Sequence, residues 1–119
     1  MSADDVFNLA DALTRVDDDE ELFQTLAELF LEQAPLDMAA TQAAMDAGDA
    51  EALSRAAHRM KGAILQFSAS ALFEATKQLE ALGKAGRIDE AKPVCARVTH
   101  ELQQLMTALN EYIAHRPAA

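Results

Sequence analysis

Cysteine, tryptophan, glycine, proline and positive charge are all scarce in this chain of 119 residues. Cys95 stands alone, so no disulfide can form within the chain, and no histidine is spaced from it as a metal or catalytic partner would be. A reducing compartment is the natural setting. Four glycines and three prolines leave few breaker positions, and beside abundant Ala, Leu, Glu and Gln they favour helix over sheet. The longest weakly charged stretch, residues 62–73, is too short to span a bilayer. Met1-Ser2-Ala3-Asp4-Asp5 has neither the basic start nor the apolar run of a signal peptide. A soluble, cytoplasmic protein with no membrane partner is expected. No glycine-rich phosphate loop and no Ser-His-Asp or Cys-His order is present, so ATP binding has no motif to rest on.

Half of the residues are hydrophobic, enough for one domain over residues 1–119 with a core of its own. The start at Met1 and the lack of a linker favour a free-standing protein. Charge is divided unevenly. Residues 1–52 hold fourteen acids and one base, residues 53–119 six acids and nine bases, for a net charge of −10. So acidic a chain argues against nucleic acid as partner, because phosphate backbones are bound through net positive surface. Arg55, Arg59, Lys61, Lys77 and Lys84 nevertheless make one neighbourhood basic and fit to receive an anion. Taken singly, Arg59 and Lys84 read as ordinary residues of a solvated helix face.

Apolar spacing divides the chain into helices. A short one runs from Asn8 to about Arg15. The acidic run Asp17–Glu21 then serves as the start of a helix over 19–47, its carboxylates capping free amides at the positive end of the helix dipole. Pro35 should kink or restart that helix, and Gly48-Asp49 should end it and begin the next. Helices over 50–67, 69–84 and 89–114 follow, with Ser68-Ala69-Ser70 as a break and cap, Gly83 to Gly86 as a second break, and Asp89 as a further cap. The expected fold is all-α: an antiparallel four-helix bundle with a short additional N-terminal helix across one end.

The stretch Ala57-His58-Arg59-Met60-Lys61-Gly62 lies mid-helix. At about 100° per residue, Leu53, Ala57, Met60, Ile64 and Phe67 form one apolar stripe, and Ser54, His58, Lys61, Gly62 and Leu65 form a second. His58 therefore points away from the core. Lys61, one turn on, can set a positive charge beside whatever the imidazole carries. Gly62 removes the side chain that would cover the ring, although glycine costs a helix about 1 kcal/mol relative to alanine. If the two central helices form a hairpin about residue 69, Glu80 stands at the height of His58. A carboxylate there accepts a hydrogen bond from Nδ1 and leaves the Nε2 lone pair exposed. Considered by itself, Glu80 is an ordinary exposed acid.

His58-Arg59-Met60-Lys61-Gly62, followed by Ala69, Leu72 and Leu79-Glu80, resembles the histidine-containing phosphotransfer (HPt) domain of multistep two-component phosphorelays. The resemblance runs from about Leu9 to Leu109. One departure is Ser68, where the family often has glycine. The resemblance implies that His58 is a phosphoacceptor, with Glu80 holding its ring and Lys61 neutralising charge. A receiver domain carrying an aspartyl phosphate would dock over the stripe, meeting Gly62, Leu65, Ser68, Arg55 and Arg59. Nε2 would attack phosphorus in line, and the group would pass on to a second receiver, in either direction. The implied partners are response-regulator receiver domains and a sensor or hybrid histidine kinase. No cofactor is implied for this chain, with Mg²⁺ expected on the receiver, and no kinase activity of its own.

Two other functions fit the sequence less well. One is an adaptor that binds a kinase or receiver without being phosphorylated, against which His58, Lys61 and Gly62 all stand. The other is a structural module that self-associates through the C-terminal stripe Val94, Val98, Leu102, Leu105, Leu109 and Ile113. Glu111 and His115 have the i, i+4 spacing of a weak metal pair, but they lie near the chain end and no metal is expected there.

Overall fold

The structure is a computed structural model and describes residues 6–115. Among the described residues five helices succeed one another: α1 (Leu9–Thr14), α2 (Glu20–Ala47), α3 (Ala50–Leu65), α4 (Ser70–Lys84) and α5 (Ile88–His115). No strand occurs among the described residues. Three start on side-chain caps. The Asn8, Asp19 and Asp49 oxygens accept from the amides of Asp11, Leu22 and Ala52, each at 3.0 Å. Gly48, in the left-handed region at φ 66°, closes α2, and the Asp49 amide donates to the Ala44 carbonyl at 2.9 Å.

The four long helices pack in order around a square, α2 on α3, α3 on α4, α4 on α5 and α5 back on α2. The molecule is 47 Å long, about the length of a 28-residue helix at 1.5 Å per residue plus its ends. Leu53, Ile64, Leu79, Val98, Leu102, Leu105 and Leu109 are buried at its centre. The C-terminal stripe is thus used inside the bundle and is not free as a surface for self-association. Cys95 is buried too, and burial pushes its thiol above the ordinary value. One end is closed by rings: Phe23 meets Phe67 at 5.7 Å and Tyr112 at 5.2 Å, and Phe30 meets Phe67 at 4.9 Å.

Several local expectations are corrected. Pro35 does not restart α2, which continues through it. Proline forfeits one hydrogen bond, and the buried Ala34 and Asp37 flank it on the packed side of the helix. Only Asp19 of the acidic run caps a helix; Asp17 and Asp18 form a left-handed turn at φ 53° and 59°, a conformation aspartate tolerates better than most residues. Asp89 lies inside the first turn of α5, which begins at Ile88. Ser68-Ala69-Ser70 breaks the chain but supplies no side-chain cap, since the capping position is Ala69.

Ser68 has a different task. It sits in the left-handed region at φ 53°, where a glycine would be unstrained. Its hydroxyl donates to Asp11 and accepts from Arg15 Nε at 3.1 Å, tying α1 to the turn between α3 and α4. The Asn8 amide adds a bond to the Ser68 carbonyl at 3.3 Å.

Candidate functional site

Gly83 is what brings the two central helices together. It was expected as a break, yet α4 runs through it to Lys84. A Cβ at Gly83 would stand 2.9 Å from the Ser54 amide nitrogen and 3.0 Å from the Ala50 carbonyl oxygen. Backbone therefore lies on backbone where α3 crosses α4, and the crossing lies one turn from Glu80.

Across this contact His58 Nδ1 and Glu80 Oε2 are 2.8 Å apart, and Lys61 Nζ donates to Glu80 Oε1 at 2.7 Å. Lys84 Nζ approaches Oε2 at 3.5 Å. Glu80 is not the exposed acid its sequence position suggested: the residue is 4 % exposed. Its hydrogen bond to Lys61 lowers its carboxyl most, against the opposing effect of burial. The bond to His58 and the charges of Lys61 and Lys84 lower it further, from 4.5 to about 2.

An ionised carboxylate can only accept. The hydrogen between His58 and Glu80 therefore belongs to Nδ1, and in the neutral ring the lone pair is then on Nε2. The His58 side chain is 68 % exposed. A Cβ built on Gly62 would meet nothing within 4 Å. Its absent side chain answers no need of the fold. Leu65 lies farther along the same face, 43 % exposed.

The remaining residues singled out in the sequence stand differently. Lys61 is bound to Glu80 and only 25 % exposed in its side chain, so its ammonium is not free beside the ring. Arg55 pairs with Glu51 at 3.0 Å, and Arg59 lies 4.0 Å from Asp37 of α2. Ser68 belongs to the tie with α1. Lys84, which sequence alone marks as an ordinary surface residue, belongs to the cluster; its i+4 spacing from Glu80 was the available signal. His115 Nδ1 lies 2.8 Å from the Glu111 carbonyl oxygen. Among the described residues no three His, Cys, Asp or Glu side chains gather so as to hold a metal ion.

A carboxylate held ionised between two helices gives a pH signature. Its folded value lies below its unfolded value, so the stabilisation it contributes is complete above about pH 4.5 and is lost as pH falls towards about 2. The denaturation midpoint of the wild type, relative to Glu80→Gln, is expected to fall across that window. In Lys61→Met the folded value should lie nearer 4.5, so the loss should be smaller and end at a higher pH. An unchanged difference between wild type and Glu80→Gln from pH 6 to pH 2 would contradict the coupling.

The family model described as Hpt domain matches residues 25–111. The chain belongs to the Hpt domain family. A histidine phosphotransfer role in two-component signalling follows for it. Two solved structures share the Hpt fold over almost the whole length. Histidine-containing phosphotransfer protein B (HptB) from Pseudomonas aeruginosa PAO1 is 20% identical with a TM-score of 0.85, over 94% of this chain and 97% of that one. The HPT domain of the Hpt sensor hybrid histidine kinase from Shewanella is 16% identical with a TM-score of 0.86, over 96% of this chain and 98% of that one. No curated protein is a significant sequence match. No described helix of this Hpt domain is long and apolar enough to cross a membrane.

Proposed function

We propose that His58 Nε2 accepts a phosphoryl group from the aspartyl phosphate of a response-regulator receiver domain and delivers it to a second receiver. The observation that carries this is the His58 Nδ1 to Glu80 bond, made to an ionised carboxylate from a side chain that is 68% exposed. The lone pair of Nε2 attacks phosphorus as the bond from phosphorus to the aspartyl oxygen breaks, and the aspartate leaves as a carboxylate. Nδ1 keeps its hydrogen throughout. The ring gains positive charge as the N–P bond forms, and Glu80 lies against that charge at 2.8 Å. Lys61 acts through Glu80, keeping it ionised. Lys84, loosely held and with its side chain 69% exposed, is the cation free to turn towards the phosphoryl oxygens. Mg²⁺ belongs on the receiver, where the aspartyl phosphate is made. The donor is the receiver of a sensor or hybrid histidine kinase system, and this chain needs no nucleotide.

The test is transfer of label from a phosphorylated receiver domain to the wild-type protein, followed by treatment with acid and alkali. A label lost in acid and kept in alkali is expected. A folded protein that took no label from any of several receivers would overturn the reading in favour of the adaptor.

Gly62 provides a test that separates function from folding. Gly62→Leu should leave stability unchanged or raise it by up to about 1 kcal/mol, because leucine is the better helix former and the space is open. Transfer should slow by about tenfold or more, because the side chain stands where a partner must approach. Equal transfer rates for the two proteins would show that the clearing over the ring is not used.

A further inference from the structure

Three large side chains outside the site are left in water on α2. Leu22, Leu29 and Leu36 are 44%, 55% and 63% exposed. They stand seven residues apart, a spacing that keeps side chains on one face of a helix with a drift of about 20° per step. Leu26, partly buried, lies between them on the side towards the bundle. Leu22 to Leu36 spans about 21 Å, roughly four turns of helix. Scattered exposed leucines need no explanation, but a ridge at the repeat used for helix pairing does.

Its place in the fold follows from its neighbours. Asp37, next to Leu36, approaches Arg59 on α3, whereas Gln42, Met45 and Asp46 border a cavity of about 260 Å³ with Lys92 and Cys95 of α5. The ridge is therefore on the α3 side. The Thr41–Met60 contact at 3.8 Å fixes the antiparallel register, so Leu36 and Leu65, each five residues away, stand at one height. The ridge begins at the height of Leu65 and runs away from His58.

Charge says what covers it. Glu21, Glu28 and Glu32 are exposed along its outer edge, and no Lys or Arg occurs between Arg15 and Arg55. A second copy would bring glutamate against glutamate, which costs binding energy, whereas a cationic partner would be steered in. We infer that the ridge Leu22, Leu29 and Leu36 docks a helix of a partner protein whose apolar stripe is flanked by Lys or Arg. It selects partners by that flanking charge. This surface is made without His58, so it stands or falls independently of the phosphoryl reading.

Two helical peptides of about 18 residues, four to five turns, test it. They share leucines at heptad spacing and carry flanks of all lysine or all glutamate. Their binding is followed by fluorescence anisotropy, with His58→Gln as a second host. The lysine-flanked peptide is expected to bind both hosts about tenfold or more tighter than the other, and more weakly at high salt. Glu28→Lys with Glu32→Lys should reverse the preference. Leu29→Ser with Leu36→Ser should weaken binding by about tenfold or more with the melting temperature unchanged. Undiminished binding by the serine variant would reduce the effect to diffuse charge attraction and overturn the inference. Equal binding of the two peptides, or of neither, would overturn it too. A wild-type dimer in sedimentation that the serine variant lacks would assign the ridge to a second copy instead.

Discussion

Phosphoryl transfer to a His58→Gln protein should fall to background, with its thermal unfolding close to that of the wild type. The two halves of this result have separate causes. Glutamine has no nucleophilic ring nitrogen, and no other described histidine has a comparable setting: His100 and His115 are on α5, away from Glu80 and Lys61. The fold should hardly notice the change, because the His58 side chain is 68% exposed and Glu80 keeps Lys61 and Lys84. Labelling of the variant at a wild-type rate would place the acceptor elsewhere, and a large loss of melting temperature would show that the ring is structural.

Gly83→Ala is the opposite case, a small change with a large expected cost to the fold. The added carbon would meet backbone atoms of Ser54 and Ala50 at 2.9 to 3.1 Å, and backbone cannot swing aside as a side chain can. Helices α3 and α4 must part. Overpacking of this kind costs about 1–3 kcal/mol, partly offset by about 1 kcal/mol of better helix propensity. The net loss of about 1 kcal/mol should lower the melting temperature by about 5 °C in a domain of this size. Transfer should slow as well, since the same contact sets the distance between His58 and Glu80. An unshifted melting temperature would mean that the close crossing contributes nothing.

The helices were legible because their signals are local. Apolar residues recur at helical spacing, and Asn8, Asp19, Asp49 and Gly48 mark ends through bonds made within one turn. What stayed hidden depends on tertiary partners. Gly83 looks like any helix breaker until the backbone of α3 is known to lie against it. Pro35 looks like a restart until α2 is seen to continue through it. Ser68 could be recognised as a departure from the family's glycine, but its bonds to Asp11 and Arg15 join residues 57 and 53 positions apart.

The site divides in the same way. His58, Lys61 and Gly62 share one helix and could be found from spacing alone. Glu80 needed the hairpin argument or the family resemblance, and nothing in the sequence foretold its burial. The role of Lys61 changed most, because its short bond to a buried carboxylate depends on where α4 lies. Lys84 was passed over since an exposed lysine near a helix end is commonplace until a functional carboxylate is placed one turn before it.

The central claim is that Glu80 holds the Nδ1 hydrogen and thereby makes Nε2 the nucleophile. Phosphorus–nitrogen coupling in the NMR spectrum of ¹⁵N-histidine-labelled protein, phosphorylated by a receiver domain, tests it directly. The expected spectrum shows phosphorus coupled to Nε2 of His58, with Nδ1 still bearing hydrogen. Phosphorus on Nδ1, or on any residue other than His58, would contradict it.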